Sequence, residues 1–484
     1  MYQRGASEEE IVHNSRELPK LPCGNTHTSK HSPANAMSTA PRPDNRRLAL
    51  FPLPFQGHIN PMLQLANILH TKGFTITIIH TDFNSPKQSN YPQFTFKSIS
   101  DGTSETKNMK SNLNLDTTNS LVNFMNKTYI DPFRDCLVKL QEEEPIACLI
   151  SDALWHFTHK VADALHLPRI VLRTSSMSCV LVYAVLSEKR DAINDEENTF
   201  PDISPITKQD VVKILNDNLK EGKLDLISSM IQNTKSSSGV IWNTFKELEG
   251  PAYSAITQNF GVPSFTIGPF HKYFPASSSS LLEQDRNIIT WLDLQPVRSV
   301  VYVSFGSIAQ MGEAEFTNMA SGLAKSNQRF LWVVRPGSVS GSEWLQSLPE
   351  GFLDEVGERG CIVKWAPQQE ILAHPAIGVF WTHNGWNSTL ESICEGVPMI
   401  CSPCSYDQPI NARYVTDFWK VGVMLDNATE EEIGKAMKRV IVEEEGSEMR
   451  ERSKLLKEKV NLSLEEGGSA YKSLENLVNY ILSL

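Results

Sequence analysis

Residues 365–408 read WAPQQEILAHPAIGVFWTHNGWNSTLESICEGVPMICSPCSYDQ. Strand-like apolar runs at Cys361–Lys364, Gly378–Thr382 and Met399–Cys401 each lead into a turn or a helix start, so the stretch is two βα junctions in series. At the middle junction His383, Asn384 and Gly385 pass from a strand straight into a helix beginning near Trp386, with Asn387 and Ser388 in its first turn. A helix N-terminus offers unpaired N–H groups and a partial positive charge, and its natural occupant is an anion, most often a phosphate. His383, Asn387 and Ser388 add side-chain donors to that end. Glu391 lies three and four residues past Ser388 and Asn387 on the same face. A carboxylate does not bind phosphate; it suits the vicinal hydroxyls of a ribose.

Taken singly, Trp365 and Trp386 read as core aromatics, His383 as a turn histidine and Glu391 as a solvated helix residue. Jointly, at these spacings, they describe a nucleotide site. The segment resembles the signature box of the plant family 1 UDP-dependent glycosyltransferases, which glycosylate small secondary metabolites and hormones, and it does so from Trp365 through to Asp407 and Gln408. The resemblance implies that Trp365 stacks on uracil while the Ala366 backbone pairs with its edge. Gln368 and Glu391 would take the ribose, and His383, Asn387 and Ser388 the diphosphate. Trp386, Asp407 and Gln408 would hold the sugar hydroxyls, and a terminal Gln in the family accompanies UDP-glucose.

Length predicts two to four domains, because 484 residues exceed one ordinary core. A hydrophobic share of 40% and a charged share of 21% are globular values. The net charge of −11 argues against nucleic acid or an anionic membrane as the main partner. Eight cysteines are dispersed, several inside apolar runs, as reduced cytosolic thiols are. Cys401 and Cys404 form a C-x-x-C without a second pair at zinc spacing, and His156 and His159 stand three apart without clustered acids, so neither is read as a metal site. No apolar run reaches the roughly 18 residues of a membrane span, and the first residues lack the apolar core of a secretory signal. The expected compartment is the cytoplasm.

Residues 1–46 are rich in Ser, Pro, Asn and charge without a period, which predicts a disordered extension and leaves Met37 as an alternative start. Leu48–Phe55 is a buried strand, Ile59–Lys72 a helix with Met62, Leu65, Ala66 and Leu69 at helical spacing, and Thr75–His80 the next strand, which together make a parallel βαβ unit. In the connecting turn FQGHINP, Gly57 permits a sharp bend, Pro61 fits the helix's first turn, and His58 is thrown to the carboxyl edge of the sheet, where open α/β folds bind ligands. A helix N-terminus disfavours a cation, which suits a base, and from position alone His58 is equally a helix-start histidine with no task. Residues 98–120 are read as a polar loop followed by a helix to about Glu142. Ile146–Ser151 is a strand ending in Asp152, which from position alone is equally a partner of His58 or the N-cap of a helix over Leu154–Leu165. The family match at FQGHINP and SDALW favours catalytic base and partner, and places Thr174, after the strand Arg169–Leu172, near the sugar.

Residues 186–235 are expected to flank the acceptor cleft, with Val240–Asn243 a short strand and Pro269–Leu282 a linker. Val300–Ser304, a Phe-Gly-Ser turn carrying Ser307, a helix near Ala314–Lys325 and the strand Phe330–Arg335 open a second α/β set. Ser307 is read as a diphosphate donor or an ordinary turn serine. Helices are expected from Ala412 onward, and Tyr471–Leu484 as an amphipathic helix.

The resemblance implies an α/β fold of GT-B type, two facing Rossmann-like domains with parallel sheets. The expected divisions are a 47–268 acceptor domain, a 269–284 linker, a 285–467 UDP-sugar domain and a 468–484 helix returning to the first domain. The expected reaction is an inverting, metal-independent glucosyl transfer from UDP-glucose to a hydroxyl or carboxyl of a small apolar metabolite, by a monomer needing no cofactor. A UDP-sugar-binding protein without catalysis is the alternative; a nicotinamide oxidoreductase is disfavoured because no G-x-G-x-x-G follows either first strand. Over the box and both N-terminal motifs the chain looks closest to the branch that handles diterpenoids, cytokinins and small hydroxy acids. Phe83, Trp155, Met177 and Tyr183 are read as lining the acceptor cleft or, equally, as ordinary core.

Overall fold

Seven runs of β-branched and aliphatic residues in the first half of the chain pair side by side, all parallel, in the computed structural model. It describes residues 45–111, 115–188, 203–218, 223–274 and 280–484. The chain divides into two units, Met1–Pro41 and Arg42–Leu484, and every described element lies in the second. The expectations for the extension and for Met37 lie outside the described residues.

The first sheet comprises β1 (Arg47–Phe51), β2 (Thr75–Thr81), β3 (Thr95–Ile99), β4 (Ile146–Asp152), β5 (Arg169–Arg173), β6 (Gly239–Trp242) and β7 (Ser264–Thr266), in the order β3-β2-β1-β4-β5-β6-β7. The second comprises β8 (Val300–Ser304), β9 (Arg329–Val333), β10 (Gly360–Val363), β11 (Ile377–Thr382), β12 (Met399–Cys401) and β13 (Gly422–Met424), in the order β10-β9-β8-β11-β12-β13. Both are the doubly wound order with helices on each face. This explains why the central strands β1, β8 and β11 are buried along their whole length and read as continuous apolar runs. In each sheet the strand order reverses once, between β1 and β4 and between β8 and β11, and at these points the connecting helices diverge and leave a crevice.

The C-terminal helix Ser469–Ser483 buries Leu474, Leu477 and Ile481 in the core beneath the first sheet, with the Tyr480 ring 5.3 Å from Phe265. Each such side chain contributes about 1.5–3 kcal/mol, which fastens the end of the second half onto the first.

Several boundaries differ from the sequence reading. The first strand stops at Phe51 and not Phe55, because Pro52 and Pro54 have no N–H for a ladder; the Pro52 carbonyl instead accepts the Trp155 indole N–H at 3.0 Å. The polar loop expected over 98–120 contains the helix Glu105–Ser111 and the start of the helix Leu115–Thr128. Leu121, Val122 and Met125 hold the latter against the core, and the Ser, Thr and Asn around them disguised that face. The helix expected at Leu154 begins only at Thr158, after turns that hang from the Asp152 carbonyl. A strand, β13, occupies Gly422–Met424 where only helices were expected, too short for its period to register.

Candidate functional site

The two reversal points face each other across a cleft of about 650 Å³. From the first sheet, the helix Gln56–Thr71 starts directly after β1, so His58 sits in its first turn beside the end of β4. His58 Nδ1 lies 2.7 Å from Asp152 Oδ2, and Thr174 Oγ1, just past β5, lies 3.1 Å from the same nitrogen. Asp152 is 1% exposed, and its other oxygen accepts the Leu154 N–H at 3.0 Å. The residue is therefore the partner of His58 and, in place of the expected helix cap, the acceptor of a turn N–H, since the helix starts only at Thr158 with Phe157 at its cap.

Because the helix begins at Gln56, Pro61 falls past the first turn, where its missing N–H leaves the Gly57 carbonyl without its intrahelical bond. Asn387 Nδ2, from the other side of the cleft, donates to that carbonyl at 2.9 Å. Two further bonds join the halves nearby: the Trp386 indole N–H donates to the Asn243 carbonyl at 2.8 Å, and Asn243 Nδ2 to Asn387 Oδ1 at 3.4 Å. Asn243 also accepts the Phe270 N–H at the start of the expected linker.

On the second sheet, Thr382 ends β11 and the helix Trp386–Glu395 begins three residues on from His383, with Gly385 at its cap. Asn384 makes the bend with φ +60°, secured by an Asn411 N–H to its carbonyl at 3.0 Å. The His383 ring is clasped between two glycines: a Cβ on Gly306 would come within 2.8 Å of it and one on Gly385 within 2.7 Å. Burial pushes this imidazole down to about 4, so it is neutral, and its Nδ1 has no partner.

Gln368 ties the ribose candidates together, donating to Ser388 Oγ at 2.8 Å and Glu391 Oε2 at 2.7 Å while accepting from the Tyr302 hydroxyl. Gln369 donates to the other Glu391 oxygen, and burial still raises that carboxyl above its usual range. The Trp365 indole N–H reaches Ser280 Oγ at 2.8 Å, and Gln56, two residues before His58, accepts the neighbouring Leu281 N–H.

The cleft gathers His58, Asp152, Thr174, Ser307, Trp365, Ala366, Gln368, His383, Trp386, Asn387, Ser388, Glu391 and Asp407 on one wall or the other. Two expectations change in detail. The Trp386 indole N–H is spent on Asn243, so its side chain is an interlobe strut and only its backbone N–H remains for a sugar. Gln408 is off the cleft wall and 7% exposed: its amide oxygen closes the preceding loop by accepting the Cys404 and Ser405 N–H groups, which leaves only its NH₂ end for a hydroxyl.

The acceptor side needs a larger correction. Of the four residues expected there, Tyr183 lines the cleft, but Phe83, Trp155 and Met177 are core. Trp155 stacks on Phe51 with ring centroids 4.7 Å apart, Phe83 packs edge-on to Phe55, and Met177 lies under the helix it begins. Phe55, Val122, Leu154, Leu226, Ile227 and Met230 form the apolar wall instead, with Arg173 and Asn119 among them. Leu226, Ile227 and Met230 fall in the 186–235 stretch expected to flank the acceptor cleft, although the sequence singled out none of them, and of the polar residues only Asn119 lies in the segment read as loop. Among the described residues, no group of three or more His, Cys, Asp or Glu is placed to hold a metal ion. Nor is any helix of those residues long and apolar enough to cross a membrane.

Residues 284–459 match the family described as UDP-glucoronosyl and UDP-glucosyl transferase. UDP-glycosyltransferase 76G1 of Stevia rebaudiana is 49% identical over 458 residues, covering 91% of this chain and 97% of that protein. UDP-glycosyltransferase 76C4 of Arabidopsis thaliana is 48% identical over 450 residues, covering 90% and 98%. Among solved structures, Os79 from O. sativa in complex with UDP superposes with a TM-score of 0.78 at 25% identity, over 90% of this chain and all of that one. Phytolacca americana UGT2 complexed with UDP-2fluoro-glucose and pterostilbene gives 0.78 at 26% identity, over 90% and 100%. With two opposed doubly wound sheets of GT-B type, a nucleotide-sugar box at the second reversal point and relatives nearly half identical along almost their whole length, the chain belongs to the plant family 1 UDP-dependent glycosyltransferases.

Proposed function

We propose that this UDP-glycosyltransferase moves glucose from UDP-glucose to a hydroxyl or carboxyl of a small, largely apolar metabolite, with inversion at the anomeric carbon. The observation that carries this reading is the 2.7 Å contact of His58 with the buried Asp152, opposite the helix that begins at Trp386. A carboxylate at Nδ1 fixes the proton there and leaves Nε2 as the acceptor of a proton. In the proposed step Nε2 takes the acceptor's proton as its oxygen bonds to the anomeric carbon. The bond from that carbon to the diphosphate oxygen breaks on the opposite face, and UDP leaves carrying the electron pair.

Asp152 then faces an imidazolium, whose charge it offsets. The leaving charge meets the helix N-terminus together with Asn387, Ser388 and His383, preorganised neutral donors that stand in for a cation. We therefore propose that no metal or cofactor takes part. Gln368 and Glu391 would hold the ribose, Trp365 and the Ala366 backbone the uracil, Ser307 the diphosphate, and Thr174, Asp407, the Trp386 backbone and the Gln408 NH₂ group the sugar. The acceptor would lie against 47–268 and the donor against 285–467, with 269–284 as the linker and 468–484 closing back.

Support from related proteins is of two kinds: Os79 was crystallised with UDP, and P. americana UGT2 with a UDP-sugar analogue and pterostilbene. One chain supplies both cleft walls, which suits a monomer. The seven free cysteines of the described residues suit the cytoplasm. Release of UDP from UDP-glucose, measured with and without a panel of alcohols, tests the reading: acceptor-dependent release supports it, and UDP-glucose binding with no release under any acceptor would make the chain a binding protein.

A further inference from the structure

Asn411 lies just past the 365–408 stretch, in the helix Gln408–Arg413, and is 1% exposed. Its amide is fully occupied. Nδ2 donates to the Asn384 carbonyl at 3.0 Å and to Asp407 Oδ2 at 2.8 Å, and Oδ1 accepts from Ser176 Oγ at 2.9 Å. Asp407 and Asn384 belong to the donor half, the first on the cleft wall and the second at the bend before the helix Trp386–Glu395. Ser176 belongs to the acceptor half, one residue before the helix Met177–Glu188.

The orientation of this amide is not free. Turned over, it would set Oδ1 against a carbonyl and a carboxylate, both of them acceptors. Ser176 Oγ accepts the Cys179 N–H at 3.1 Å from the first turn of its helix, and its own hydrogen goes to Asn411, whose oxygen can only accept. A directed chain of donors thus runs from an acceptor-half helix through Ser176 and Asn411 to the Asp407 carboxylate. Burial raises that carboxyl above its ordinary range and the Asn411 N–H opposes the rise, so the contact that orients Asp407 also helps to keep it ionised.

We propose that Asn411 is a positioning residue for the donor sugar: it sets the Asp407 carboxylate against the hexose hydroxyls and ties that setting to the acceptor half through Ser176. This rests on the reading that Asp407 meets the sugar, and adds to it a residue that does not itself line the cleft. A carboxylate held by a charge-assisted bond from a fixed amide keeps its remaining lone pairs in set directions. Hydroxyls that match them are then bound without the cost of ordering the carboxylate first.

The test is calorimetric, on the full-length protein without acceptor, and reads the ratio of UDP-glucose affinity to UDP affinity. Changes in that ratio report the hexose contacts, whereas a general loosening of the fold weakens both ligands alike. Asp407→Ala should lower the ratio, and Asn411→Ala should lower it on the order of tenfold, as loss of a contact to a charged group does. In the Asp407→Ala background Asn411→Ala should change it little further, because nothing is left to position. Ser176→Ala keeps both Asn411 donors and should lower the ratio by about threefold, the scale of one neutral hydrogen bond; it carries the test if Asn411→Ala does not fold. A ratio unchanged in Asn411→Ala or in Ser176→Ala overturns the inference, as does an Asn411→Ala loss that persists undiminished without Asp407. If Asp407→Ala itself leaves the ratio unchanged, the sugar reading of Asp407 fails together with it.

Discussion

His58 Nδ1 lies 2.7 Å from Asp152 Oδ2: Asp152 ends β4, and His58 stands in the first turn of the helix that follows the adjacent strand β1, at the point where the strand order reverses. The carboxylate divides its labour: one oxygen faces the imidazole and the other holds the Leu154 N–H. His58→Ala is expected to lower kcat by about 10² to 10⁴ with little change in melting temperature, because general-base help is lost and a 23%-exposed side chain contributes little packing. Asp152→Asn keeps an oxygen for the Leu154 N–H but presents either an amide N–H or a neutral oxygen to Nδ1, so kcat should fall steeply there too. Asp152→Ala should lose the activity and, with the Leu154 N–H left without its acceptor, about 1 kcal/mol of stability as well. Steady-state kinetics beside thermal melts separate these outcomes, and an Asp152→Asn enzyme as fast as wild type would remove Asp152 from the mechanism.

The donor half of this machinery was legible because its chemistry is local. From Trp365 to Glu391 the residues follow one another along two short βα junctions, so spacing alone brings His383, Asn387, Ser388 and Glu391 to one end of one helix. The His58–Asp152 pairing spans 94 residues and could be read only as two residues on the same sheet edge. The acceptor wall was legible only as a stretch. Residues 186–235 were expected to flank the cleft and supply Leu226, Ile227 and Met230, but no periodicity singled these out, whereas Trp155 and Phe83 fill the core, Trp155 stacked on Phe51 and Phe83 edge-on to Phe55. Large apolar side chains announce burial; they do not say on which side of the wall.

Pro61 and Asn387 share the Gly57 carbonyl without touching each other. Pro61 withholds the N–H that would normally occupy this oxygen, and Asn387 supplies one from the facing lobe at 2.9 Å. In Pro61→Ala the new backbone N–H competes for the carbonyl, so the value of the Asn387 contact should shrink. A double-mutant cycle of Pro61→Ala and Asn387→Ala, read by denaturation, should therefore show a coupling of about 0.5 kcal/mol or more. Strict additivity would mean that the carbonyl does not link the lobes in solution.

Gly306 and His383 impose a second constraint across the β8 and β11 turns. Gly306 adopts φ +72°, and an added Cβ would stand 2.8 Å from the His383 ring, which Gly385 crowds from its other side. Gly306→Ala is expected to cost at least about 1 kcal/mol from the backbone alone, and to raise the KM for UDP-glucose by displacing His383 and Ser307 together. Gly312→Ala is the control for donor binding: its φ is −72° and nothing lies within 4 Å of its Cβ, so the KM should not move, while stability loses only the few tenths of a kcal/mol, at most about 1, of an alanine at the helix N-cap it occupies. Equal effects at both glycines would dissociate the His383 contact from donor binding.

Acidification should act on His383 and Glu391 in opposite senses. Burial holds His383 down at about 4 against an ordinary 6.5, so between those values the unfolded chain binds a proton that the native one does not. Its contribution is complete above pH 6.5 and is lost as pH falls towards 4, by up to about 3 kcal/mol. Glu391 is raised by burial, so it binds more protons folded than unfolded; its contribution is present at low pH and lost as pH rises through its elevated value. If the His383 loss dominates, the wild-type melting temperature falls between pH 7.5 and 5, and His383→Gln flattens that slope. Donor binding should follow Glu391 instead if, as proposed, its carboxylate holds the ribose: UDP affinity measured by calorimetry should weaken on acidification in the wild type and stay level in Glu391→Gln. A Glu391→Gln enzyme whose UDP affinity kept the wild-type pH profile would take the ribose away from that residue.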